Sequence, residues 1–186
     1  MNRMAIGKLA TAVFIASEAV FFGFLIAGYI YFRANIHGTE FTQAPLDPPR
    51  TLIFTICLLA SSGTMWIAER QLNRRNAAAF RMWLGATILL GLTFIAGQAW
   101  EYIGLFSQTM TPARNLFGAS FFTLTGFHGF HVLCGLAALS SLLIMNLQRD
   151  FGQRQITGVE SVAMYWHFVD VVWIAIFSIV YLSIWL

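Results

Sequence analysis

The stretch LATAVFIASEAVFFGFLIAGYIYF, residues 9–32, is apolar throughout except for one carboxyl, Glu18, near its middle. It is long enough to cross ~30 Å of hydrocarbon at 1.5 Å per residue, so it reads as a transmembrane helix. It is no cleavable signal peptide: the run exceeds a typical h-region, holds Glu18 and lacks a small-x-small site after it. Four further blocks repeat the pattern over residues 51–68, 82–106, 116–147 and 159–186. Together they predict an all-α integral membrane bundle of five transmembrane helices, a single transmembrane domain over residues 1–186.

Composition agrees with lipid as the solvent. Of 186 residues 58% are hydrophobic and 10% charged, whereas roughly 25% are charged in soluble domains. The net charge of +3 does not point to nucleic acid, because the basic residues sit in short connections rather than in a patch with interleaved aromatics. Cys57 and Cys134 fall inside apolar blocks without CxxC or Cys/His spacing, and are read as inert core thiols. All four prolines are expected between the blocks, Pro45, Pro48 and Pro49 in the first connection and Pro112 in the third, where none interrupts a spanning helix.

Short cytoplasmic segments retain excess Lys and Arg. One side of the five spans carries Arg3, Lys8, Arg70, Arg74, Arg75, Arg81, Arg149 and Arg154, and the other only Arg33, Arg50 and Arg114. This predicts a cytoplasmic N-terminus and an outside C-terminus. The last two helices, about 30 residues or ~45 Å each, are expected to tilt or project at their inner ends. Tyr29, Tyr31, Trp100, Tyr102, Tyr181 and Trp185 near helix ends are expected to anchor at the interface.

Function is most legible in polar groups at bilayer depth, where a charge costs at least ~2.5 kcal/mol. Glu18 is one, and two readings stand side by side: a carboxyl poised for protonation or for a lipid or partner group, and a neutral carboxyl hydrogen-bonded across helices. His128 and His131 share a face of the fourth helix, and His167 and Asp170 are likewise three apart on the fifth. Each pair lies near the middle of its block, so the two are expected to meet between adjacent antiparallel helices. Three His and one Asp could in principle bind a metal, but the sequence reveals neither supporting partners nor an open coordination position. A transmembrane di-haem site would need histidines spaced about a dozen residues apart on one helix, which His128 and His131 are not. Gly118-Ala119-Ser120-Phe121 resembles a rhomboid-type nucleophile segment with His167 as base, but Phe121 stands where the second Gly belongs. Gly118, Ala119, Ser120, Gly126, Gly129 and Gly135 read better as a face for close helix approach.

Two runs carry a family resemblance: Gly118-Ala119-Ser120-Phe121-Phe122-Thr123-Leu124-Thr125-Gly126-Phe127-His128-Gly129-Phe130-His131-Val132 and Tyr165-Trp166-His167-Phe168-Val169-Asp170-Val171-Val172-Trp173. Both resemble signature segments of subunit III of the haem-copper terminal oxidases. In the same order, Ser17-Glu18-Ala19-Val20-Phe21-Phe22 resembles the segment with that family's carbodiimide-reactive membrane glutamate. Gln98-Ala99-Trp100-Glu101-Tyr102 resembles the end of a later helix, closer to the cytochrome c oxidases than to the quinol oxidases. The five predicted helices match the short bacterial form. Mitochondrial-type members have two more at the N-terminal side, which close one wall of a lipid cleft.

The resemblance implies a non-catalytic subunit of an oxygen-reducing, proton-translocating complex of aerobic respiration, in the bacterial inner membrane. Such a subunit holds no redox centre, haem and copper residing in partner subunits. It packs mainly on subunit I, with subunit II and other subunits also in the complex, binds phospholipid, and supports assembly, sustained turnover and proton uptake. It further implies that Glu18, His128, His131, His167, Asp170 and Glu101 serve lipid, proton or structural roles. A reading from another class is an independent small transporter or channel using the membrane acids as a proton relay.

Overall fold

The computed structural model describes residues 3–35, 46–148 and 153–182, and side chains within 7–35, 46–148 and 156–182. Five helices follow in order: α1 (Arg3–Asn35), α2 (Pro48–Asn73), α3 (Ala77–Ser107), α4 (Leu116–Gln148) and α5 (Gln153–Val180). All five are long and apolar enough to cross a membrane. Contacts at the helix ends show that neighbours in sequence run antiparallel. Thr51 at the start of α2 meets Glu101 near the end of α3, and Arg81 early in α3 binds Asn146 late in α4.

The helix ends depart from expectation in three ways. Pro48 and Pro49 are not in the connection; they form the first turn of α2, where a missing N–H costs nothing, and Asp47 caps that turn by accepting the Arg50 N–H at 3.2 Å. Pro112 lies between α3 and α4 as expected, while Pro45 is outside the described residues. Length is not confined to the last two helices, since α1 and α4 each have 33 residues and α3 has 31. The fifth ends at Val180 rather than at the chain terminus, and Trp185 and Arg149 lie outside the described residues.

Two helices stop by the same device. Arg75 (φ 57°) and Thr109 (φ 60°) take the left-handed conformation just past α2 and α3. The Asn76 N–H reaches the Gln71 carbonyl and that of Arg75 the Leu72 carbonyl; Met110 and Thr109 repeat the pattern onto Leu105 and Phe106. These are Schellman closures with a side chain where glycine is usual.

Lipid supplies no hydrophobic drive between helices, so packing and interhelical hydrogen bonds hold the bundle. The fifth helix packs on α1, α2 and α4, and α4 packs on α1, α3 and α5. Trp166 and Trp173, both fully buried, are seven residues apart and so share one face. Their indole N–H groups donate to Ser61 and Thr55 of α2, each at 2.9 Å. Trp166 fits only because Gly91 of α3 and Gly135 of α4 face its ring: a Cβ on either would stand 2.8 or 2.7 Å from it. Tyr29 and Tyr181, expected at the interface, are instead core residues at 1% and 0% exposure. Tyr31 and Trp100 do project outward, at 62% and 61%. The two cysteines are free thiols but not core ones; Cys57 is half-buried and Cys134 exposed.

Candidate functional site

Two polar constellations lie at mid-helix depth, on different sides of α5. In the first, Glu18 Oε2 of α1 faces His131 Nε2 of α4 at 3.1 Å. The other ring nitrogen, His131 Nδ1, lies 2.7 Å from the Phe127 carbonyl. A carbonyl only accepts, so Nδ1 carries a hydrogen, and a single proton between Nε2 and the carboxyl then completes the pair. It resides on Glu18 as a neutral acid or on His131 as an imidazolium facing a carboxylate; either way α1 is tied to α4. Tyr165 of α5 donates to the His131 backbone carbonyl at 3.0 Å, and Phe22 meets the imidazole edge-on at 5.0 Å between ring centres. The pair opens onto a groove of about 590 Å³ between α1, α4 and α5, walled by Phe14, Phe130, Cys134 and Val162. Its lining is mostly apolar, with Thr11, Ser161 and Tyr165 beside the Glu18–His131 pair.

The second constellation joins α5 to α2. Ser62 Oγ donates to Asp170 Oδ2 and lies 2.8 Å from His167 Nδ1. The expectation that His167 and Asp170 meet the His128–His131 pair is therefore not met. Tyr165, Trp166 and Trp173 of α5 all meet α4, and two residues, about 200° of helical rotation, separate Tyr165 from His167. The seating of Trp166 between two glycines fixes that rotation.

His128 is apart from both. It is 1% exposed, stacks on Trp173 at 4.8 Å and meets Phe94 edge-on at 5.9 Å. Neither ring nitrogen has a hydrogen-bond partner among the described residues. Glu101 sits at the end of the bundle where α3 and α5 finish. Tyr181 donates to its Oε2 at 2.7 Å and Thr51 to its Oε1 at 3.1 Å, so one carboxyl clamps α2, α3 and α5. It lines a polar cavity of about 280 Å³ with Asp47, Arg50 and Gln98, where the Arg50 guanidinium lies 4.1 Å over the Trp100 ring.

Ser120, the rhomboid-like serine, turns onto the Leu116 carbonyl of its own helix at 2.8 Å, and its hydroxyl bonds no histidine among the described residues. Among the described residues no three His, Cys, Asp or Glu side chains converge on a common point. The expected small-residue face is used unevenly: Gly135 receives Trp166, Gly118 closes on the Thr111 carbonyl, and Gly129 faces open space. Ser62, Tyr165, Thr51 and Tyr181 are site residues that sequence reasoning missed.

The sequence profile of the family described as cytochrome c oxidase subunit III matches residues 4–185. The chain belongs to that family. Cytochrome c oxidase subunit 3 of Corynebacterium diphtheriae is 39% identical over 184 residues, covering 97% of this chain and 90% of the relative. The Synechocystis protein of that name is 36% identical over 170 residues, covering 90% and 71%. That of Bacillus subtilis is 35% identical over 173 residues, covering 91% and 83%.

Proposed function

We propose that this chain is the accessory subunit III of a proton-translocating cytochrome c oxidase of aerobic respiration, contributing no redox centre and sustaining the catalytic subunit. Its polar residues at bilayer depth, His128 excepted, are engaged with groups of neighbouring helices. His131 has both ring nitrogens occupied, Glu101 accepts from two other helices, and Asp170 and His167 share Ser62. The single observation that supports the reading is the Glu18–His131 bond, a helix–helix tie at the wall of an apolar groove.

On this reading phospholipid acyl chains fill the groove, haem and copper belong to the partner subunits, and subunit I is the main neighbour with subunit II also in the complex. The chain lies in the bacterial inner membrane with its N-terminus cytoplasmic and its C-terminus outside, an orientation that the excess of Lys and Arg on one side favours. A quinol oxidase would hold an equivalent subunit; the Gln98–Tyr102 segment favours the cytochrome c branch.

The test is an oxidase complex depleted of this chain and rebuilt with the wild type or with Glu18→Leu. The expected result is that wild type restores sustained turnover and bound phospholipid, while Glu18→Leu gives a complex that inactivates sooner during turnover. Equal lifetimes and lipid content for depleted, wild-type and variant complexes would contradict the proposal.

A further inference from the structure

We infer that the outward face of α2 and α5 around His167 docks a transmembrane helix of another subunit, one presenting a hydroxyl or carboxamide at mid-bilayer depth. This rests on the oxidase reading only in naming the partner as a member of that complex.

His167 is the starting point. It is half-buried, sits at the middle of the span formed by Ile156–Val180, and its only hydrogen bond among the described residues is through Nδ1 to Ser62. The remaining nitrogen, Nε2, has no hydrogen-bond partner among the described residues and is not fully buried. Other polar side chains on the lipid-facing surface satisfy themselves: Thr93, Ser141 and Ser178 each bond the carbonyl four residues back, at 2.9, 2.8 and 2.7 Å. An imidazole cannot reach back in that way while it holds Ser62. Left against acyl chains, Nε2 is an unmet polar atom where neither water nor a headgroup reaches. A lipid tail has nothing to offer it, whereas a protein helix does.

The proton inventory fixes which partner chemistry fits. Ser62 has one hydroxyl hydrogen, and its oxygen bonds both Asp170 and His167. With Asp170 ionised, Ser62 donates to it and accepts from Nδ1–H, so Nε2 is an acceptor; with Asp170 neutral the relay reverses and Nε2 carries the hydrogen. A hydroxyl or carboxamide, which can both donate and accept, meets Nε2 in either state.

The surrounding surface suits a helix. Leu59, Gly63 and Trp66 recur at intervals of four and three along the outward side of α2, and His167, Val171 and Ile174 recur likewise on α5. Gly63 is exposed, and a Cβ built there meets nothing within 4 Å, so its smallness serves no packing inside this chain. It leaves room for another backbone to approach.

The experiment uses the intact complex, isolated from native membranes through a tag on the haem-bearing large subunit. Gly63→Leu adds bulk where this chain has open space, so the helix bundle itself is expected to fold as before. Retention of the chain on the complex is expected to fall by about tenfold or more from the steric block. Gly23→Leu, at an equally open position on α1, is expected to leave retention unchanged. His167→Phe keeps an aromatic ring without the polar nitrogens and is expected to lower retention about threefold to tenfold. Wild-type retention for both Gly63→Leu and His167→Phe would overturn the inference. A photo-crosslinking side chain at Val171 gives the second readout, with an adduct to another subunit expected; adducts only to lipid, or only to a second copy of this chain, would overturn it. Failure of the wild-type chain to co-isolate with the large subunit would instead count against the oxidase reading, and the Val171 adduct would still identify whether a helix sits on this face.

Discussion

Replacing Gly135 by Ala tests the seating of α5 against α4. The new methyl would stand 2.7 Å from the Trp166 ring, closer than real side-chain carbons come, and 3.4 Å from that of Tyr165. The Trp166 ring cannot simply slide away, because Gly91 confines it from α3 and its N–H is bonded to Ser61. Overpacking of this kind costs about 1–3 kcal/mol, and loss of the indole bond adds about 0.6 kcal/mol in a membrane setting. Alanine also favours helix over glycine by roughly 0.5–1 kcal/mol. Gly129→Ala, six residues earlier on the same helix and facing open space, gains that term alone, so comparing the two variants cancels it. Gly135→Ala should then be less stable than Gly129→Ala by ~2–4 kcal/mol. The assay is reversible unfolding of the chain in mixed micelles by titration with a denaturing detergent, followed by helical circular dichroism and Trp fluorescence. Equal midpoints for the two variants would refute the claim that Trp166 is wedged between two glycines.

Glu101→Gln should destabilise the bundle by about 1–3 kcal/mol, because Tyr181 and Thr51 both donate to the carboxyl and an amide presents donors in place of one acceptor; unfolding midpoints in the same micelles check it. Thr55→Val removes the acceptor of the Trp173 indole while keeping the shape, and should cost ~0.6–1.7 kcal/mol with a shift in Trp fluorescence. Arg75→Gly should stabilise the α2–α3 connection by about 1 kcal/mol, since φ 57° is free for glycine and strained for arginine; slower hydrogen exchange at the end of α2 would register the gain.

The five spans were readable because lipid imposes a crude demand that twenty-odd apolar residues meet openly. The depth of Glu18 was readable for the same reason, and so was its need for a donor. Its partner was harder, because two histidines of one helix were equally placed by depth and only the rotation of α4 separates them: His131 turns to α1 and His128 to Trp173. The rotation of α5 follows from how one indole fits against glycines on two other helices, which no periodicity within α5 records. Ser62 had a signal, as part of the polar run Ser61-Ser62-Gly63-Thr64 in mid-span. Single hydroxyls in membrane helices usually bond their own backbone, as Thr93 and Ser141 do, so the run did not stand out. Tyr29 and Tyr181 misled because an aromatic near a helix end has the same sequence signature whether it faces headgroups or the core.

The most direct measurement is isolation of the tagged wild-type chain from its native membranes in mild detergent, with subunit mass spectrometry and a reduced-minus-oxidised haem spectrum of the eluate. The expected result is co-isolation with a large haem-bearing subunit and oxygen reduction with cytochrome c as donor. A stable self-oligomer with no haem-bearing partner, carrying transport activity in liposomes, would contradict it.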